Sequence, residues 1–452
     1  SSLANQGDSM EPIEVVVKAG NHDRRACPVW VQLPLEQGTP ALRMTDEQGN
    51  EVACQAEPSG SGTEDRLWLT WIVRDLPAGQ QRRYRIEEAR GIQQATDRPE
   101  GEGGEVPDRA EDVPAPVPAV VPAQGTTLSM GVALPEQAQA GGVVLTELPD
   151  GRLSVQIDGE IFTHYHFSSD VVRPYFYPVI GPTGKGITRG YPMEPQQEGA
   201  PGKYPYDHPH HRSLWIAHGD VNGTDNWSEG ANHSTQRHAG FSRLISGQVY
   251  GSFDATTEWM DRDGRVVMEE TRRVTFFNVG AEERLVDVSL RFTATSGTVT
   301  FGDTKEGGLV SVRVASSMDA PDRNRPDAPG RIENSYGAIG EAECWGKRAM
   351  WCDYSGPVEG DDVGICLMDH PTNPRYPTHW HVRAYGLMTV NPFGLHDFYK
   401  DSDTHRGDWT IPSYESRNFL YRVLIHRGNA TQGNVRERYH DFVSVPAVEL
   451  VQ

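Results

Sequence analysis

Between Tyr206 and Trp227 the sequence reads YDHPHHRSLWIAHGDVNGTDNW, and four of the chain's 16 histidines fall in this one stretch. His208, His210, His211 and His218 stand beside Arg212, Asp220, Asn222 and Asp225, framed by Trp215 and Trp227. An imidazole gives and takes protons near neutral pH, so one of these histidines is expected to act as general base or acid. A neighbouring guanidinium holds an anionic or hydroxylated group in fixed geometry, the role expected of Arg212. The plainer reading of any single histidine is a hydrogen bond to backbone in a turn. The density of the cluster argues for a cleft.

Three further segments carry the same kinds of side chain. PTHWHVRAYGLMTVNPFGLHDFY supplies His379, His381, Arg383, Tyr385, Asn391 and His396. The two-residue spacing of His379 and His381 is that of a strand, which puts both on one face with Trp380 on the other. FGDTKEGGLVSVRVA places Asp303, Lys305 and Glu306 in a glycine-rich approach to a strand, where backbone can come close to a ligand. RPYFYPVIGPTGKGITRGYPME adds Arg173, Tyr175, Tyr177, Lys185 and Arg189. Its GPTGKG lacks the GxxxxGK[ST] spacing of a phosphate loop, so a nucleotide site is not expected. Clusters so far apart in sequence are expected to meet around one pocket. There Arg173, Arg212, Trp215, Asp220, Asn222, Trp227, Lys305, His379, His381 and Arg383 would bind substrate. If the chemistry is hydrolysis it needs two carboxylates, for which Asp220, Asp225 and Glu306 are the candidates. The same imidazoles are metal-ligand types, but Arg212 would set a positive charge beside the ion and no cysteine or ligand-spaced carboxylate completes a shell. No cofactor is therefore expected, with a His-bound metal ion as the alternative. G-x-S-x-G, H-E-x-x-H and G-x-G-x-x-G are absent.

The elements that must position these groups read as strands. The chain has 452 residues, a formal net charge of −21, 47 Gly and 32 Pro. That composition suits short elements and many turns, and disfavours a helical bundle. The negative charge argues against nucleic acid and anionic membranes as partners, and no apolar run reaches the length of a transmembrane helix. Residues 1–92 are expected to form a small β-sandwich. Residues 93–124, rich in Pro, Gly, Glu and Asp, read as a linker, and residues 125–452 as a large antiparallel β-sandwich carrying the site. Asp150-Gly151, Asp158-Gly159 and Asp263-Gly264 mark hairpin turns, and NVRERYHDF reads as a helix. Cys27 and Cys54 fall in neighbouring predicted strands, so a bridge between them is open to either outcome. The start SSLANQGDSMEPIEV has no apolar leader, and a mature secreted chain would look the same, so a periplasmic or secreted location is expected.

RPYFYPVIGPTGKGITRGYPM, DHPHHRSLWIAHGDVNGTDNW, GDTKEGGLVSVRVA and PTHWHVRAYGLMTVNPFG together resemble a bacterial family labelled methane oxygenase PmoA-like. The match covers roughly residues 170 to 400, with Asn226-Trp227 where that family often shows Phe-Trp. The resemblance implies a supersandwich similar to galactose mutarotase and occurrence in polysaccharide-degrading bacteria. The function it implies, with the residues above, is a carbohydrate-active lyase or glycoside hydrolase using His208, His210, His211, His218 and Glu306 on an oligo- or polysaccharide. A non-catalytic glycan-binding protein and a metal-dependent oxidoreductase are the alternatives.

Overall fold

The structure, a computed structural model, describes residues 10–34, 41–58, 66–89, 141–196 and 205–451, so the acidic segment 93–124 lies outside the described residues. It is built almost wholly of antiparallel strands, and no helix is long and apolar enough to cross a membrane among the described residues. The paired Asp158 and Gly159 both take positive φ (50° and 83°), the twist that joins Arg152–Ile157 to Glu160–His166 in a tight hairpin.

The N-terminal residues form two small sheets that close over Val15, Val17, Cys27, Val29, Trp71, Tyr84 and Ile86. Cys27 and Cys54 are unbonded, on strands that flank Leu67–Leu76 from opposite sides. The last strand, Ala447–Val451, pairs with Ile13–Lys18. The chain end therefore closes the small sheet, whereas the sequence reading kept it in the large unit. The ladder hydrogen bonds of an edge strand and the Lys18–Glu449 ion pair (2.7 Å) hold it there.

The large unit stacks an 11-stranded sheet on an 8-stranded one. Between them lies a core of Val155, Phe162, Leu214, Ile216, Val310, Val312, Phe253, Val274, Val288 and Val423, among others. The outer face of the 8-stranded sheet is covered by the helix Val435–Val443 and by Ala26 and Ile72 of the small unit. Arg438, fully buried there, donates to Glu283, Asp441 and the Ala26 carbonyl, and so ties the two units together.

The outer face of the 11-stranded sheet carries most of the histidine and arginine segments singled out above. In the strand Leu214–Val221, Leu214 and Ile216 enter the core while Trp215 and Ala217 face outward. Strand register then lines up one row across five strands: Tyr175, Trp215, Ser311, Thr389 and His381. Because side chains alternate, Arg313 shares this face with Ser311, and Leu387 shares it with Thr389. Segments distant in sequence are thus brought side by side by strand pairing alone.

Candidate active site

The centre of the site is a carboxylate held by two buried guanidiniums. Asp207 accepts hydrogen bonds through Oδ1 from Arg189 (2.9 Å) and Arg313 (3.1 Å). Arg189 also donates to the carbonyls of Pro205 (2.8 Å) and His208 (2.9 Å), which fixes the loop that carries the histidines. Its own backbone N–H bonds to the Arg313 carbonyl. Partial burial works against the Asp207 charge, but the close approach of His208 and the Arg313 and Arg189 charges override it. The carboxyl is held well below the usual range.

Three histidines gather on this base. His208 adopts φ 48°, a left-handed turn conformation, and its Nδ1 lies 3.0 Å from Asp207 Oδ2 without the alignment of a hydrogen bond. Its ring lies parallel to His211 (4.8 Å, 7°) and to Tyr385 (5.1 Å, 12°). His211 is buried, and its Nδ1 lies 2.8 Å from an Arg313 nitrogen. A guanidinium only donates, so His211 Nδ1 is the acceptor and the ring proton sits on Nε2. Burial, and then the Arg313 charge, push the His211 imidazolium far out of reach at neutral pH. His211 is therefore a neutral hydrogen-bond donor and not a base. His210, edge-on to His211 (4.5 Å), is lowered to about 4 by burial and by its cationic neighbours. It too is neutral at pH 7. Tyr385 stands under two guanidiniums, Arg313 at 4.9 Å and Arg383 at 5.4 Å, yet burial pushes its hydroxyl upward, so it keeps its proton.

The tautomer assignment has a direct check. With 15N-labelled histidine, His211 is expected to show a protonated Nε2 and an unprotonated Nδ1 from pH 6 to 8. A protonated Nδ1 would mean that Arg313 does not hold it.

Beside the histidines, Glu229 is gripped bidentately by Arg212 (2.6 Å to each oxygen) and touched by Arg173 (3.4 Å). Arg212 also lies over the Tyr175 ring at 5.5 Å. Arg212 therefore does not reach free into a cleft as the sequence reading had it. Its fork is spent on Glu229, and it acts as part of the wall. Trp215 and Trp227 pack on each other (5.3 Å) and are 1% and 2% exposed, so they form the floor and not open platforms. Their indole N–H groups are buried and meet no acceptor among the described residues.

The segment from 379 to 385 adjoins this centre through Tyr385, and, as the strand spacing predicts, His379 and His381 share a face while Trp380 enters the core. His379 Nε2 meets the Tyr399 hydroxyl (2.9 Å), and His381 Nδ1 accepts from Trp345 Nε1 (2.9 Å). Arg383 pairs with Glu341 (2.9 Å) and Lys305 with Glu306 (3.3 Å) on the rim. Lys305 acts electrostatically on His381, and Glu306 on Tyr385. Arg212 and Arg383 thus stand on one sheet face with the histidines between them. Six cationic side chains (Arg173, Arg189, Arg212, Arg313, Arg383, Lys305) meet five carboxylates (Asp207, Asp225, Glu229, Glu306, Glu341), which leaves one positive charge in excess among them.

Other expected members have other partners. His218 points into the core, where it donates through Nε2 to the Gly302 carbonyl (2.8 Å) and packs on Phe393. Asp220 caps the turn at Gly223 (2.7 Å), and Asn222 bridges the backbone of Thr298 and Thr300. Asp225 accepts from the backbone of Trp227 and Ser228. Asp303 fastens His396 and Gly407, and Lys185 latches to Glu359 and Asp361. His218 is spent in the core, and the others on turns, backbone and ion pairs. The residues that sequence reasoning did not single out are Asp207, Glu229, Arg313 and Trp345. An arginine inside the otherwise apolar run GLVSVRVA, and an acid directly before HPHH, were the available signals.

The His208 and His211 rings stack in parallel, and His210 stands edge-on to both. Among the described residues no group of three or more His, Cys, Asp or Glu side chains is arranged to hold a metal ion.

The family model described as "Family of unknown function (DUF6807)" matches residues 152–440. No curated protein matches the chain. Among solved structures, a glycosyl hydrolase family 38 protein from Enterococcus faecalis is 9% identical at TM-score 0.41, covering 98% of this chain and 47% of its own. An α-mannosidase from Enterococcus faecalis V583 gives the same identity and TM-score, with 98% and 46% covered. The heparan sulfate lyase HepC from Pedobacter heparinus is 8% identical at TM-score 0.24 over 61% of this chain and 30% of its own. The chain spans about half the length of the first two.

Proposed function

The chain belongs to DUF6807, a family of unknown function, and from that premise we propose that it is a lyase cleaving a uronate-containing polysaccharide by β-elimination. The observation that carries this reading is the Asp207–His208 pair at 3.0 Å, set beside a protonated Tyr385 and a neutral His211 under an excess of positive charge.

Elimination needs a base, an acid and a means to neutralise a carboxylate so that the adjacent carbon acid can be ionised. With the Asp207 carboxylate 3.0 Å from Nδ1 to offset a positive charge on the ring, His208 Nε2 takes the proton from the carbon bearing the uronate carboxylate. The electron pair of that C–H bond becomes the new C=C bond, and the C–O bond to the neighbouring sugar breaks. The departing oxygen takes its proton from the Tyr385 hydroxyl. The His211 Nε2–H suits an oxygen of the carboxylate as negative charge builds on it. Hydrolysis is the weaker reading, because it needs a carboxylic acid as proton donor. Asp207 and Glu229 are both locked in guanidinium pairs. Asp319 is raised to about 6 by burial, but it lies under Gly386 and pairs with Arg325.

A panel of galacturonate, glucuronate and mannuronate polymers, beside neutral glycans, tests the proposal. Ultraviolet absorbance of an unsaturated uronate product is expected from one of the acidic polymers, lost in His208→Asn and strongly reduced in His211→Ala. Cleavage confined to neutral glycans, or activity that survives both substitutions, would overturn it.

A further inference from the structure

We propose that a second sugar subsite lies on the same sheet face as the acid–base centre, built on Trp345 and His381, and that it takes a further unit of a polymeric substrate, two or three along from the one cleaved. The inference rests on the glycan reading above and adds that the natural substrate is a chain and not a single sugar or disaccharide.

Trp345 differs from the two buried indoles of the centre in being part-exposed, and it is held rigidly. Its Nε1–H is fixed on His381 Nδ1 at 2.9 Å, and its ring stands edge-on to Phe398 at 5.3 Å and 83°. A fixed indole with an open surface suits the apolar face of a pyranose, because little side-chain entropy is lost when the ring lands on it. The same hydrogen bond sets the histidine. An indole N–H only donates, so His381 carries its proton on Nε2, and burial keeps the ring neutral, at about 3. His381 thus repeats the arrangement of His211, with a donor fixing Nδ1 and Nε2–H left to meet an oxygen.

The charges around Trp345 come in pairs, Arg383 with Glu341 and Lys305 with Glu306, each partly exposed. Such pairs present donors and acceptors without net charge, which fits sugar hydroxyls better than a carboxylate. The positive surplus lies at the centre, where two guanidiniums share Asp207 and two share Glu229. The two subsites therefore differ in kind: a carboxylate is read at the histidines, and a ring face with its hydroxyls at Trp345. Along the register row, Trp215 and His381 are three strand spacings apart, ~14 Å. One ring cannot touch both, but a glycan chain lying across the strands can.

The test uses galacturonate, glucuronate and mannuronate oligomers, each as disaccharide and hexasaccharide, titrated calorimetrically into the full chain carrying His208→Asn, so that binding is read without turnover. A hexasaccharide of one series is expected to bind at least tenfold more tightly than its disaccharide. Adding Trp345→Ala is expected to remove that advantage, about a tenfold loss. Trp345→Phe, which keeps an aromatic face, is expected to retain most of it, with melting temperatures confirming that each variant is folded. A length advantage that is absent, or that survives Trp345→Ala, overturns the subsite even if elimination is observed. A length advantage that depends on Trp345 supports the subsite even if wild type releases no unsaturated product, in which case only the reaction reading falls. Failure of every probe to bind overturns both.

Discussion

His208→Asn is expected to lower kcat on the acidic glycan by a factor of about 10² to 10⁴ while leaving the melting temperature close to wild type. That range is what a positioned general base contributes. The choice of asparagine follows from the backbone. His208 sits at φ 48°, where most side chains are strained but asparagine is at ease, so the substitution removes the imidazole without straining the turn. The ring is half-buried and its loop is held from beneath by Arg189, which bonds to the His208 carbonyl and not to its side chain. Loss of activity with an unchanged melting temperature is the expected signature. A kcat within threefold of wild type would remove His208 from the chemistry.

Asp207→Asn is expected to damage stability as well as turnover. Arg189 and Arg313 are both buried and converge on the one carboxylate, so an amide would leave two guanidiniums facing each other without a counter-charge. Removing one partner of such a group costs about 3 kcal/mol, here at the lower end because Asp207 is partly exposed. The sign with pH follows from the depressed carboxyl. The unfolded chain protonates Asp207 near its ordinary value of ~3.9, before the folded chain does. The stabilisation is therefore complete at neutral pH and fades as pH falls through and below that value. Urea denaturation at pH 7 is expected to separate wild type from Asp207→Asn clearly, and at pH 3 the gap is expected to narrow. Equal gaps at both pH values would mean that the charge of Asp207 does not hold the two arginines.

What the sequence revealed divides along physical lines. Local rules carried far: Asp158-Gly159 is a tight hairpin, Val435–Val443 is helical, and the alternation at His379, Trp380 and His381 held. Convergence of the distant histidine segments could be inferred from density, but its cause, the register row through Trp215, Ser311, Thr389 and His381, is a property of strand pairing. Alternation applied one step further would have turned His218 inward, since it lies three residues from the outward-facing Trp215. Asp207 and Arg313 were beyond reach for a different reason. They are 106 residues apart, and no local pattern says which arginine will find which acid. Arg212 shows the same limit. Its neighbours suggested a substrate clamp, but Glu229 takes both ends of its fork.

Whether this outer sheet face performs proton-transfer elimination is tested most directly by running the reaction in oxygen-18 water and weighing the products. A histidine–tyrosine site that takes a carbon-bound proton and expels the neighbouring sugar predicts an unsaturated product with no label beyond background exchange at the reducing end. Saturated fragments, with one labelled oxygen entering at each cleaved bond, would mean that water is the nucleophile and would contradict the assignment of His208 and Tyr385.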